Sequence, residues 1–152
     1  MSTIRQAEKS DGDAIARMMN LLWPESSIEE FGAELDTFVN GQRPGTLPST
    51  ILVACDETGA LTGFIEVGLR SHADGCDATH PVGFVEGWFV YEELRGRGIG
   101  RDLVRAAEDW ARSHGCREMA SDAWIDHEGS QHAHQALGFE VVDRCVHFRK
   151  SL

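Results

Sequence analysis

The strongest constraint on the fold is a change of period near the middle of the chain. Val82 to Val90 (Val-Gly-Phe-Val-Glu-Gly-Trp-Phe-Val) is an apolar run of strand length. Tyr91 to Arg101 follows, with Gly96, Gly98 and Gly100 alternating with other residues. From Gly100 to His114 the apolar residues Leu103, Val104, Ala107 and Trp110 recur at helical spacing, and Gly115 is a stop signal. A strand that enters a helix through such a turn presents a row of backbone N–H groups and a helix N-terminus to one point, which suits a diphosphate. It is not a Walker loop, because no Gly-Lys-Ser/Thr follows. The G-x-G-x-x-G dinucleotide spacing is also absent.

The rest of the chain is organised around that unit. Thr3 to Ala7 reads as a first strand. Asp11 is placed to cap a helix carrying Ala14, Ile15, Met18, Met19 and Leu22 on one face and ending at Pro24. Ser27 and Glu30 are spaced as a capping box for a second helix that fades near Gly41, and Arg43 to Pro48 is a loop. Thr50 to Cys55 and Leu61 to Leu69 read as a hairpin around Asp56-Glu57-Thr58-Gly59. Ser71 to His80 is a polar loop. After the central helix come a fifth strand, Glu118 to Trp124, a short helix, Glu128 to Leu137, and a last strand or strands, Phe139 to Phe148. The order is βααβββαβαβ, an α/β (α+β) chain with a mixed sheet, in one domain over residues 1–152.

Composition excludes several classes. With 41% hydrophobic and 26% charged residues, the chain is of ordinary globular type. No apolar run approaches the roughly 20 residues of a membrane span, and the N-terminus has no signal-peptide core, so a cytoplasmic location is expected. Cys55, Cys76, Cys116 and Cys145 are widely spaced, which argues for reduced thiols and against metal binding. A formal net charge of −11 disfavours nucleic acid. It is compatible both with a solvated acidic surface and with a cleft that attracts a cation.

Glu86 stands alone as a charge in the Val82–Val90 run. Burial there would raise its pKa toward the range of a useful general base, whereas a half-exposed strand would leave it facing solvent. His132 and His134 are two apart on a predicted helix and point away from each other, so they do not suggest a metal.

Arg95-x-x-Gly98-x-Gly100, followed downstream by Gly138-Phe139, resembles the Q/R-x-x-G-x-G/A loop of the GCN5-related N-acetyltransferases. Leu22-Trp23-Pro24, Gly75-Cys76-Asp77, Val85-Glu86-Gly87, the run from Gly115 to Asp122 and His134-Gln135-Ala136-Leu137-Gly138-Phe139 are similar to the bacterial aminoglycoside 6'-N-acetyltransferases. The resemblance implies a mixed sheet with splayed fourth and fifth strands, acetyl-CoA as donor, no metal and an aminoglycoside as cationic acceptor, and it leaves room for a homodimer. It implies that Arg95, Gly96, Arg97, Gly98, Ile99, Gly100 and Arg101 hold the diphosphate. It also implies that a bulge near Trp88, Phe89 and Val90 opens the splay, that their backbone meets the pantetheine arm, and that an N–H near Phe89 faces the thioester oxygen. Glu86 becomes base or ammonium anchor. Trp23, Asp77 and Asp122 become acceptor contacts, Asp122 from a fifth-strand face shared with Ala120 and Trp124. His134 stands where many members have a tyrosine acid, and His127 where an asparagine is common, so a side-chain acid is not implied; His134 is placed against the CoA. A polyamine acetyltransferase and a catalytically idle acyl-CoA-binding module are the alternatives.

Overall fold

A computed structural model describes residues 2–39 and 47–152. The elements are β1 (Thr3–Gln6), α1 (Gly12–Leu22), α2 (Ile28–Val39), β2 (Ser49–Cys55), β3 (Leu61–Arg70), β4 (Val82–Val90), α3 (Ile99–Ser113), β5 (Met119–Ser121) and α4 (Glu128–Ala136). The expected fading of α2 near Gly41 and most of the Arg43–Pro48 loop lie outside the described residues.

The local signals act mostly as expected. The Ser27 hydroxyl accepts from the Glu30 amide, and the Glu30 carboxylate accepts from the Ser27 amide, both at 3.1 Å, closing the capping box. Asp56 Oδ1 accepts from the Thr58 and Ala60 amides at 2.8 and 3.0 Å, and Gly59 takes φ +86°, which fixes the β2–β3 turn. Asp11 differs from expectation. Its side chain does not cap α1 but accepts two N–H groups from Arg5 (2.7 and 2.9 Å) and the Glu8 amide (2.7 Å), tying β1 to the entry of α1.

The sheet order is β1-β2-β3-β4-β5, antiparallel up to β4 and parallel between β4 and β5. Alternation along β3 sends Phe64 to one side and Ile65 to the other. Phe64 joins Ile15, Met18, Met19, Phe31, Leu35, Val53 and Phe89 under α1 and α2. Ile65 joins Val67, Val85, Leu103, Val104 and Ala107 under α3. Each fully buried side chain of this size contributes about 1.5–3 kcal/mol.

Two expectations fail at the C-terminal end. The fifth strand is three residues long instead of running from Glu118 to Trp124, and Phe139 to Phe148 forms no strand. β5 pairs only through Gly83↔Met119, Phe84↔Ala120 and Val85↔Ser121. A strand needs a neighbour for its amides, and residues 140–152 have none within the described chain.

The β4–β5 pairing therefore stops at Val85, and β4 runs on to Val90 without β5 beside it. This is the expected splay. The bulge also exists, but not near Trp88–Val90. Val67 pairs with Val85 and Glu66 with Gly87, so Glu86 is the extra residue, at the point where the strands part.

Candidate active site

The bulge decides which way Glu86 points. Gly83 faces α3, since a Cβ there would meet Ala111 and Met119. Val85 packs under α3, whereas Phe89 packs under α1. Strict alternation would put Glu86 and Gly87 on opposite faces. With the extra residue both lie on the α1 face: Glu86 lines a cavity there, and a Cβ at Gly87 would be 2.5 Å from Cη2 of Trp23. Gly87 is thus the gap into which the Trp23 indole fits. Trp23 ends α1 and meets Phe31 at 5.9 Å between ring centroids.

The cavity has a volume of about 630 Å³ and is lined by Met19, Trp23, Phe31, Leu47, Pro48, Ser49, Glu66, Gly68, Leu69, Arg70 and Glu86. One wall is apolar and aromatic, and the floor carries two carboxylates. Glu66, Gly68 and Arg70 reach it from β3 by simple alternation. The Glu86 side chain is 37% exposed and ion-paired, so the premise of a desolvated carboxylate in an apolar strand does not hold. Arg70 Nε donates to Oε1 at 3.2 Å, and Nη2 donates to Oε1 and Oε2 at 3.0 Å each. Sequence reasoning missed Glu66 and Arg70. Their signal was two charges on the face of β3 that also carries Phe64.

Asp77 and Asp122 do not line this cavity. Asp77 organises its own loop: it accepts from the Thr79 hydroxyl at 2.6 Å and amide at 2.8 Å, and these bonds hold its carboxyl below the usual range. Its amide donates to Glu118 at 2.7 Å. Asp122 follows the last residue of β5 and is exposed. Burial, with Glu118 nearby, pushes the Cys76 thiol up, and burial does the same for Cys116, so neither is an activated nucleophile.

On the opposite face, the loop before α3 has the shape its glycines suggested. Gly96 and Gly98 take φ +76° and +89°, and Gly98 sits at the N-cap of α3. The first turn of α3, Ile99 to Arg101, presents amides with no intrahelical acceptor. Arg95 Nε donates to the Val90 carbonyl at 2.9 Å, which fastens the loop to the end of β4. Arg97 reaches back to the Glu93 carbonyl at 3.4 Å, and Arg101 Nε lies 3.3 Å from Asp102. Phe89 is 8% exposed, so its side chain is packed in the core.

Trp88 lies beside this loop. A Cβ on Gly100 would be 3.1 Å from its ring, and its indole N–H is buried without a hydrogen-bond partner. An orphaned donor beside a glycine-cradled helix N-terminus fits a ligand rich in acceptors, as acetyl-CoA is. His134, on α4, stands against Trp88 and Phe139 at 5.3 Å each. Its Nδ1 lies 2.7 Å from the Ser130 carbonyl and its Nε2 lies 2.8 Å from the Ser121 hydroxyl, which donates to the Val85 carbonyl at 3.3 Å. Both ring nitrogens are thus engaged by groups of the protein itself. Among the described residues, no His/Cys/Asp/Glu group is arranged to hold a metal, and no helix is long and apolar enough to cross a membrane.

The chain as a whole is similar to known proteins. Residues 15–139 match the acetyltransferase (GNAT) family. The aminoglycoside N(6')-acetyltransferase type 1 of Stenotrophomonas maltophilia is 38% identical over 99% of this chain and 94% of its own length. That of Klebsiella aerogenes is 37% identical over 98% and 96%. The solved structure of AAC(6')-Iy with the bisubstrate analogue CoA-S-monomethyl-acetylneamine superposes with TM-score 0.88 at 32% identity, covering 100% of this chain and 99% of that one. AAC(6')-Iy with CoA gives TM-score 0.89 over 100% and 96%. By the extent of these matches, the chain belongs to the GNAT family of acetyltransferases.

Proposed function

We propose that this enzyme transfers the acetyl group of acetyl-CoA to the 6'-amino group of aminoglycosides, and so confers resistance to them. The observation that carries the reading is the bulge at Glu86. It sets a carboxylate in an aromatic-walled cavity, at the point where β4 leaves β5. Relatives that bear this activity by name, matched over nearly the whole chain, support it.

Acetyl-CoA would supply a thioester acyl group with a thiolate as leaving group. The first-turn amides of α3, with Arg95 to Arg101, would hold its diphosphate. The Trp88 N–H and the free edge of β4 would hold the arm, with His134 beside them. On the acceptor side the Trp23 indole offers a face to a sugar ring and a cation. Glu86 accepts N–H groups of the acceptor amine, either anchoring it or taking its proton. Holding amine and acyl carbon together contributes up to roughly 7–11 kcal/mol. Asp122, at the end of β5, would add a further contact to the acceptor, and Asp77 adds negative potential from its loop. The polyamine and idle-module readings lose ground to the relatives and to this furnished cavity. Thiol release from acetyl-CoA tests the proposal. Turnover is expected with a 6'-amino aminoglycoside and not at that position with its 6'-hydroxyl analogue. Turnover of spermidine without any aminoglycoside would replace the reading by the polyamine one.

The enzyme is further inferred to be cytoplasmic, which suits its four free cysteines, and to form a homodimer. The support for the dimer is the C-terminal stretch 140–152, which is exposed and unpaired. It includes Val142, Val146 and Phe148 at 62%, 74% and 93% exposure. Thirteen residues with strand-like composition and no strand neighbour are completed most simply by a second copy.

A further inference from the structure

Arg70 is the feature of the acceptor cavity that the reading above leaves unused. It is the last residue of β3, on the face that carries Glu66 and Gly68. Its guanidinium is held on two sides. The carbon Cζ lies 3.4 Å from the centroid of the Phe84 ring, a stacked position that fixes the plane. In that plane Nε and Nη2 make three contacts of 3.0–3.2 Å with both carboxylate oxygens of Glu86. Phe84 and Glu86 flank Val85, the last residue of β4 that pairs with β5. The fork is therefore anchored to rigid sheet and reaches the one residue that the bulge has released from it.

That release creates a need. A bulged, 37% exposed glutamate has rotamer freedom that a paired strand residue lacks. A carboxylate that must meet an amine beside a fixed acyl carbon loses rate when it wanders by about an ångström. A fork that takes one edge of the carboxylate leaves the remaining lone pairs facing a single direction. A lysine would supply the charge without the fork.

We propose that Arg70 is a positioning residue for acetyl transfer, orienting the Glu86 carboxylate toward the acceptor amine. This rests on the reading of Glu86 as the residue that meets that amine. Both partners are more than a third exposed, so the pair adds little to stability. Removing it should shift Tm by less than about 4 °C.

The test is a double-mutant cycle on the full-length enzyme, with a 6'-amino aminoglycoside and acetyl-CoA. Arg70→Gln should lower kcat/KM at least about tenfold with Tm nearly unchanged. Arg70→Lys should recover only part of the loss. In a Glu86→Gln background Arg70→Gln should cost less than about twofold, because the residue it orients is already gone. If Glu86→Gln is damaging but Arg70→Gln stays within twofold of wild type, the positioning role is wrong and the reading of Glu86 stands. An equal loss from Arg70→Gln in both backgrounds would also overturn it, since Arg70 would then act independently of Glu86. If Glu86→Gln is itself inert, the reading of Glu86 falls and the inference with it.

Discussion

The sheet body and the C-terminal stretch carry similar apolar residues and meet opposite fates. In the body, Ile65, Val67 and Leu103 are fully buried between strand and helix. In residues 140–152, Val146 and Phe148 stand in solvent, and Val142, although it touches Gly75, is still 62% exposed. Composition does not separate the two. The difference is partners: β3 has β2 and β4 on its sides and helices on both faces, whereas residues beyond Phe139 have no strand beside them. Apolar patterning makes a segment fit for a sheet, but only a neighbour makes it a strand.

Removing residues 140–152 should have the largest effect on that contrast. Sedimentation should show the full chain as a dimer and the truncated chain as a monomer. The monomer should still bind acetyl-CoA through the α3 loop. A truncated chain that remains dimeric would break the comparison, because the stretch would then be unpartnered in solution as well.

Core truncation comes next. Leu103→Ala should cost about 2–5 kcal/mol in denaturant unfolding. Val146→Ala, measured on dilute monomer, should cost under about 0.5 kcal/mol. Equal costs would mean that Val146 is buried within its own chain.

Gly98→Asp should act on ligand and not on fold. At φ +89° the aspartate is strained, and its Cβ would lie 2.8 Å from Nη2 of Arg101, one of the residues proposed to hold the diphosphate. Acetyl-CoA affinity should fall by about 100-fold or more, an amount equal to roughly 2.7 kcal/mol. Unchanged affinity in a folded variant would remove the loop from the cofactor site.

The smallest effect concerns acid. Hydrogen bonds from Arg5, opposed by desolvation, leave Asp11 below the usual carboxylate range. A depressed carboxyl stabilises above its unfolded pKa, and this contribution is lost as pH falls through the folded value. The loss therefore occurs below about pH 4. Asp11→Asn should lower stability by about 1 kcal/mol at neutral pH and flatten the decline in acid. The effect should fall on unfolding of the body and leave association unchanged.

The sequence made some of this legible and not the rest, for definite reasons. The Arg95–Gly100 loop could be read because positive-φ turns and a helix N-terminus leave local signatures, and so could the Ser27–Glu30 box. The splay was inferred only through resemblance. The bulge at Glu86 depends on the register between β3 and β4, which neither strand encodes alone. The apolar residues around Glu86 left burial and solvent exposure both open, and the same register decides for exposure. Arg70 was missed because its meaning lies in a partner sixteen residues away. The last strand was expected from alternation, which reports fitness for pairing and not the partner.

The position of the acetyl group on the product is the most direct test of the proposed reaction. NMR of the product formed from acetyl-CoA and an aminoglycoside with several amines measures this directly. One acetyl group is expected, on the 6' nitrogen. Acetylation of another amine with the 6' nitrogen untouched, or no acetylated product from the folded enzyme, would contradict it.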